Sequence, residues 1–254
     1  MTKLLIDIGN TRIKWAHIQD NKTGALTGHG YVQHNKQLGI EVLKQIETPV
    51  NLSAIYVSAV TDDLNSQRIK RQLQELHDVP VQMVKSQPEG YGLISGYKQP
   101  ELLGVDRWVA MIGAYSQTQK GHGAMVIDAG TAITIDAIDA NGNHLGGTIA
   151  PGLELMRSSL NKNTQRLMMV KEATVNPVAD NTQDAIASGT MWSLVGNIMH
   201  TEQRLNLDTD DKIDYFITGG DAQQLMQYLP SKYQLVNDLM LQGLAQIAKT
   251  GIKL

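Results

Sequence analysis

Two segments of this chain repeat one another about half a chain apart. The first reads LLIDIGNTRIKWA, from Leu4 to Ala16, and the second MVIDAGTAITIDA, from Met125 to Ala137. Each is a short apolar strand that ends in Asp, then a Gly turn with Thr, then a strand of alternating character. The contexts of the two copies also agree, which points to an internal duplication.

In the first half the DIGNT hairpin leads to a third strand near Gly30 to Gln33 and a helical pattern from Gln37 to Ile46. A β-rich run, Ala54 to Val60, comes next. Asp62 and Asp63 then open a helix with Leu64, Ile69, Leu73 and Leu76 at helical or near-helical spacing, and Val81 to Val84 reads as a strand. In the second half the DAGT hairpin is followed by a strand from about Asn143 to Ile149, introduced by the turn dipeptide Asn141-Gly142. Helices are expected near Gly152 to Asn161 and Asp184 to Leu205. Tyr215 to Thr218 forms a strand ending in Gly219-Gly220, a helix begins near Asp221, and Gln234 to Val236 is a short strand. Leu239 to Ala248 closes the chain as a helix. Each half is three strands followed by alternating helix and strand, which predicts two α/β domains with mixed sheets, residues 1–120 and 121–254. Gln87 to Leu103 and Asn161 to Thr182 are the loop-rich stretches.

The 254 residues suffice for two cores. A net charge of −3, from 22 basic and 25 acidic residues, gives no electrostatic footprint for nucleic acid. The absence of cysteine excludes disulfides and thiolate chemistry. No apolar run approaches the roughly 18 residues of a membrane span, and the N-terminus lacks a signal-peptide pattern. A soluble, cytoplasmic protein with no membrane partner is expected. The seven histidines are scattered without zinc-site spacing. Met168 and Met169 read as core or loop filler, and Asp208, Asp210 and Asp211 as solvated loop acids.

Chemistry concentrates in a few places. In Asp7-Ile8-Gly9-Asn10-Thr11-Arg12-Ile13-Lys14, Gly9 and Asn10 tolerate left-handed backbone, so a tight turn can aim its N–H groups at a phosphate. Thr11 adds a hydroxyl, Lys14 a charge, and Asp7 a carboxylate able to hold hydrated Mg²⁺. One copy alone reads equally well as a plain hairpin. The second copy, Asp128-Ala129-Gly130-Thr131, shifts that balance, because two such turns can grip opposite sides of one nucleotide tail. No GxGxxG or GxxxxGK[ST] string is present. Asp106 opens a helical pattern. A carboxylate there can orient a primary alcohol and accept its proton late in attack on a phosphorus. Taken alone, Asp106 reads more readily as a favourable first-turn acid, Arg107 as a solvated helix residue, and Tyr97 as packing.

The paired hairpins resemble the phosphate motifs of the acetate kinase, sugar kinase, heat-shock ATPase and actin superfamily. Gly104-Val105-Asp106-Arg107-Trp108, Gly146-Gly147 through Pro151-Gly152, and Ile217-Thr218-Gly219-Gly220-Asp221 resemble segments of type III pantothenate kinases, in order along essentially the whole chain. The resemblance implies duplicated actin-like (ribonuclease H-like) α/β domains with an interdomain cleft. It also implies phosphorylation of pantothenate by ATP with Mg²⁺. By the same resemblance Asp7, Ile8, Gly9, Asn10, Thr11, Arg12, Ile13, Lys14 and Thr131 would bind ATP, and Asp106 would be the general base. Tyr97, Gly104, Val105, Asp106, Arg107 and Thr182 would bind pantothenate. Asp128 would hold a monovalent cation, K⁺ or NH₄⁺. Thr182 would come from the partner subunit of a homodimer with shared sites. The alternatives are another small-molecule kinase of the same fold, or a non-catalytic regulator akin to a transcription accessory factor.

Overall fold

The computed structural model of the chain describes residues 1–19, 25–34, 38–163, 173–208 and 211–251. Met168, Met169, Asp210 and the expected helix start at Gln37 lie outside them. The chain forms two compact units, Met1–Gln117 with Asp238–Leu254, and Thr118–Asn237. The segment Asp238–Leu254 thus belongs to the first unit.

The first unit is built on a five-stranded sheet of order β3-β2-β1-β4-β5. Its strands are β1 (Thr2–Ile8), β2 (Arg12–Gln19), β3 (Thr27–Gln33), β4 (Leu52–Ala59) and β5 (Val81–Met83). β1, β2 and β3 form an antiparallel meander, whereas β4 runs parallel to β1 and β5 parallel to β4. The short helix α1 (Ile40–Leu43) and the helix α2 (Asp63–His77) provide the crossovers. Asp62 caps α2, its carboxylate accepting from the Asn65 backbone N–H at 2.8 Å. Alternation sends Leu4, Ile6, Ile8, Ile55 and Val57 to one face, where they meet Leu43, Ile69 and Leu73.

The second unit repeats this order, β10-β9-β8-β11-β12, with the same pattern of parallel and antiparallel pairs. Its strands are β8 (His122–Ala129), β9 (Ala132–Ile138), β10 (His144–Pro151), β11 (Lys212–Thr218) and β12 (Tyr233–Leu235). α4 (Leu153–Asn163), α5 (Thr182–Asp208) and α6 (Ala222–Leu225) complete it. Met125, Ile127, Ile133, Ile135 and Ile217 pack against Leu194, Ile198 and Leu225 on one face. The duplication read from the two hairpins is therefore a duplication of the whole sheet. The Asn141-Gly142 turn forms as its chemistry requires, with Gly142 at φ 87° and the Asp139 carboxylate accepting from the backbone of Asn141 and Asn143.

Between the sheets in sequence, the loop-rich stretch folds as a small hairpin, β6 (Glu89–Gly90) and β7 (Leu93–Ile94), then a 3₁₀ turn at Pro100–Leu102 and α3 (Val105–Tyr115). The last helix, α7 (Leu239–Lys249), packs on α3 and on β1, β2 and β4. Lys3 Nζ donates to Ala248 O near its end, at 2.7 Å. The two helices touch backbone to backbone. A Cβ at Gly243 would lie 2.0 Å from Val109 O, and one at Gly113 would lie 2.3 Å from Leu239 O. None of the described helices is long and apolar enough to cross a membrane.

This contact sets up a test of sign. In an isolated helix Gly243→Ala would gain about 1 kcal/mol from helix propensity. Here the added methyl meets a backbone carbonyl that cannot rotate away, and overpacking costs about 1–3 kcal/mol. The substitution is expected to lower the urea midpoint at unchanged m value. A raised midpoint would show that the helices do not meet at this point.

Candidate active site

The β1–β2 turn carries the first motif. Gly9 N donates to Arg12 O at 2.9 Å, leaving Asn10 and Thr11 exposed at the tip. Neither Gly9 nor Asn10 has positive φ, so the turn closes without using the left-handed backbone that both residues tolerate. A Cβ at Gly9 would meet only Arg12 O at 3.4 Å, an ordinary contact. The fold therefore tolerates a side chain here, and its absence leaves the backbone open to close approach from outside. The β8–β9 turn is one residue tighter, with Gly130 N donating to Ala132 O at 3.1 Å around Thr131. Gly130 is equally unconstrained by its neighbours.

His34 was not singled out in the sequence, yet it fixes the first turn. Its Nε2 lies 2.9 Å from Gly9 O and its backbone N–H donates to Thr11 O at 3.0 Å. A carbonyl only accepts, so Nε2 carries the proton. A lone His 25 residues beyond Gly9 gave no signal in the sequence.

Asp7 stands half-buried at the end of β1, directly across from Lys14 on β2 and Ser58 on β4. Ile8 and Ile13, the flanking pair, are buried and anchor the hairpin. Asp128 stands in the same place in the second sheet, across from Thr134 on β9 and Thr218 on β11. Among the described residues no cluster of three or more acids and histidines could cage a metal ion.

Around the second turn, glycines are demanded by the fold. Gly219, at φ 101°, runs against the Ala129 backbone, and Gly152 against Gly130 O, where Cβ atoms would come within 2.3 Å and 2.1 Å. Asp221 N donates to Ala129 O at 2.9 Å, and the Asp221 carboxylate accepts from Leu153 N–H at the start of α4. Burial raises the Asp221 carboxyl above the usual aspartate range, against that hydrogen bond and the attraction of Arg157.

The head of α3 gathers the remaining first-unit candidates. Gly104 precedes the helix and Val105 begins it. Half-buried Asp106 accepts from Arg107 backbone N–H at 2.8 Å through Oδ1, as a first-turn acid does. Arg107 is not the solvated helix residue that its sequence context suggested. It is 5% exposed, donates from Nη1 to Tyr97 Oη at 2.6 Å, and holds its guanidinium 5.5 Å from the centre of the Tyr97 ring. Tyr97 and Arg107 therefore form a pair, and Asp106 precedes Arg107 in the first turn of the helix.

Thr182 is the exposed first residue of α5. The cap is its neighbour, Asn181, whose Oδ1 accepts from Asp184 N–H at 2.9 Å while Asp184 Oδ2 accepts from the Asn181 amide. Thr182 lines a groove of about 980 Å³ between α4 and α5, with Leu155, Met156, Leu160 and Ile186. Elsewhere, Asp211 is no solvated acid, since it accepts from Ala140 N–H at 3.0 Å.

Two three-plus-two mixed sheets, each with an acid near the end of its first strand and a Gly-Thr turn after it, give the chain an actin-like fold. A ROK hexokinase from Thermus thermophilus shares this fold at 14% identity and a TM-score of 0.51, each chain covered completely. A Baf family protein from Campylobacter jejuni shares it at 24% identity and a TM-score of 0.61, with 97% and 98% covered. The family model for type III pantothenate kinase matches residues 3–204. Proteins named type III pantothenate kinase from Leptothrix cholodnii and a Polaromonas species are 36% and 35% identical, over 98% of this chain and 97% and 98% of theirs. The chain belongs to the type III pantothenate kinase family.

The raised Asp221 carboxyl predicts a pH effect. Its folded value lies above its unfolded one, so its contribution to stability falls as pH rises from about 4, the unfolded aspartate value. It levels off above the raised value. Asp221→Asn keeps an acceptor for Leu153 and removes the charge. The melting temperature of the variant should gain on that of the original chain between pH 4 and pH 7. A difference independent of pH would show that burial does not disfavour the charge.

Proposed function

We propose that this chain transfers the γ-phosphoryl group of ATP to pantothenate, giving ADP and 4′-phosphopantothenate, the entry step to coenzyme A. The observation that carries the reading is the Tyr97–Arg107 pair beside Asp106. A buried guanidinium held by a phenol is a pre-set fork for an oxygen-rich substrate. An acid one residue away can receive the alcohol. Gly104 and Val105 belong to this substrate segment.

The residues divide the work. Asp7, Ile8, Gly9, Asn10, Thr11, Arg12, Ile13 and Lys14 receive ATP phosphates against exposed backbone, with Lys14 adding charge, and Thr131 makes a further ATP contact. Mg²⁺ enters with ATP and neutralises charge on the phosphates when bound; Asp7 is the residue to hold its hydration shell. K⁺ or NH₄⁺ belongs to Asp128, where the hydroxyl-bearing Thr134 and Thr218 stand on either side in register. Asp106 orients the pantothenate hydroxyl and takes its proton as the alcohol oxygen bonds to phosphorus and the bridging oxygen leaves with ADP. Most of the acceleration comes from positioning and from charge already in place. The cytoplasm is the compartment for this reaction.

The test is ADP release coupled to a reporter, with and without pantothenate, in potassium, ammonium and potassium-free sodium buffers. Pantothenate-dependent release, faster with K⁺ or NH₄⁺, is expected. Release with another alcohol alone would move the chain to a different small-molecule kinase, and no release would favour a regulatory role. Equal rates in all buffers would remove the cation from Asp128.

The active unit is a homodimer with shared sites, in which Thr182 reaches the substrate of its partner. The apolar groove beside Thr182, with Leu155 and Leu160 exposed, supports this face as the contact. Closed two-fold dimers are the commonest assemblies. Asp106→Asn should lower turnover by about 10²–10⁴-fold, and Thr182→Trp should disable the site. When the two are co-expressed, about half the dimers are mixed, and activity should return to about a quarter of the original per site. Mixed dimers that stay inactive would confine Thr182 to its own chain.

A further inference from the structure

Ser58 is completely buried on β4, and its hydroxyl has no hydrogen-bond partner among the described residues. A buried hydroxyl left unsatisfied lowers stability, and a position of this kind accepts alanine more readily. The neighbouring Ile55 and Val57 are apolar. Something other than folding accounts for a serine here.

Its place in the sheet indicates what. Ser58 is the register partner of Asp7 across the parallel β1–β4 pair, about 4.8 Å away strand to strand. Ile6, Ile8, Ile55 and Val57 all belong to the core on one face, so Asp7 and Ser58 share the other. Lys14, the partner of Asp7 on its other side, completes the row. The second unit repeats the arrangement. Asp128 has Thr218 as its register partner across the parallel β8–β11 pair, and Thr218 is 3% exposed. In both halves a buried hydroxyl residue on the fourth strand flanks the acid that ends the first.

The geometry points to Ser58 as the positioning residue for the Asp7 carboxylate in binding metal-bound nucleotide. Its O–H donates to the carboxylate when the nucleotide arrives, fixing which oxygen faces the hydrated cation. The hydroxyl is thus set beside the acid ahead of the ligand, at a cost to the ligand-free fold. This rests on the reading of Asp7 as a nucleotide-site acid.

The probe is the Mg²⁺ complex of a non-hydrolysable ATP analogue, titrated calorimetrically into the full chain, with melting temperatures measured without ligand. Ser58→Ala should melt at the original temperature or above it, because it removes an unsatisfied group. It should also bind the probe about tenfold more weakly, the scale of a lost hydrogen bond to a charged group. Ser58→Thr, the residue used at the matching position of the second unit, should restore binding. Asp7→Ala should weaken binding further, and adding Ser58→Ala to it should change nothing more, since the hydroxyl acts through the carboxylate. Full-strength binding by Ser58→Ala, a lower melting temperature for it, or an additive double variant would each overturn the role of Ser58. Unchanged binding by Asp7→Ala would overturn the reading of the hairpin itself.

Discussion

The parallel ladder between the first and fourth strands of each sheet is the constraint on which the rest depends. It joins residues some fifty to ninety positions apart, and a slip of one residue would turn the apolar side of one strand away from that of the other. That register puts Asp7 beside Ser58 and Asp128 beside Thr218. The antiparallel hairpins then add Lys14 and Thr134 on the other flank. Each acid therefore stands at the middle of a row whose members come from three strands, fixed by backbone hydrogen bonds rather than by side-chain choice.

The two turns show how the same device serves differently. In the first, His34 braces a two-residue tip from the side, and the glycine is free of neighbours. In the second, the brace is made by backbone itself, with Gly152 and Gly219 pressed against the turn where no side chain fits. Asp221 ties that packing to the start of α4 through Leu153. A turn held by one imidazole and a turn held by two glycines reach the same end: backbone N–H groups fixed in space and open on one side.

Much of this was legible beforehand, because strands and hairpins declare themselves locally. The apolar strands that end in Asp, the Gly turns with Thr and the alternating strands after them sufficed to place both hairpins, and Asp62 and Asp63 announced α2. What escaped depended on distant partners. Gly9 allowed a left-handed turn, but the turn closes in ordinary backbone. Arg107 looked solvated, but Tyr97, ten residues back, buries it. The last helix read as part of the second half, because nothing in Leu239 to Lys249 reveals that two glycines five strands and three helices apart will meet.

That closing helix gives the chain an unusual order of assembly. The second unit, Thr118–Asn237, is continuous and has all its parts before the ribosome reaches residue 239. The first unit has its sheet early but lacks the cover over α3 and β1 until α7 emerges. The almost wholly buried α3 must therefore wait with its apolar side uncovered while the rest of the protein is made. The half synthesised first is completed only after the other, and a stop codon ahead of Leu239 would spare one unit while leaving the other open.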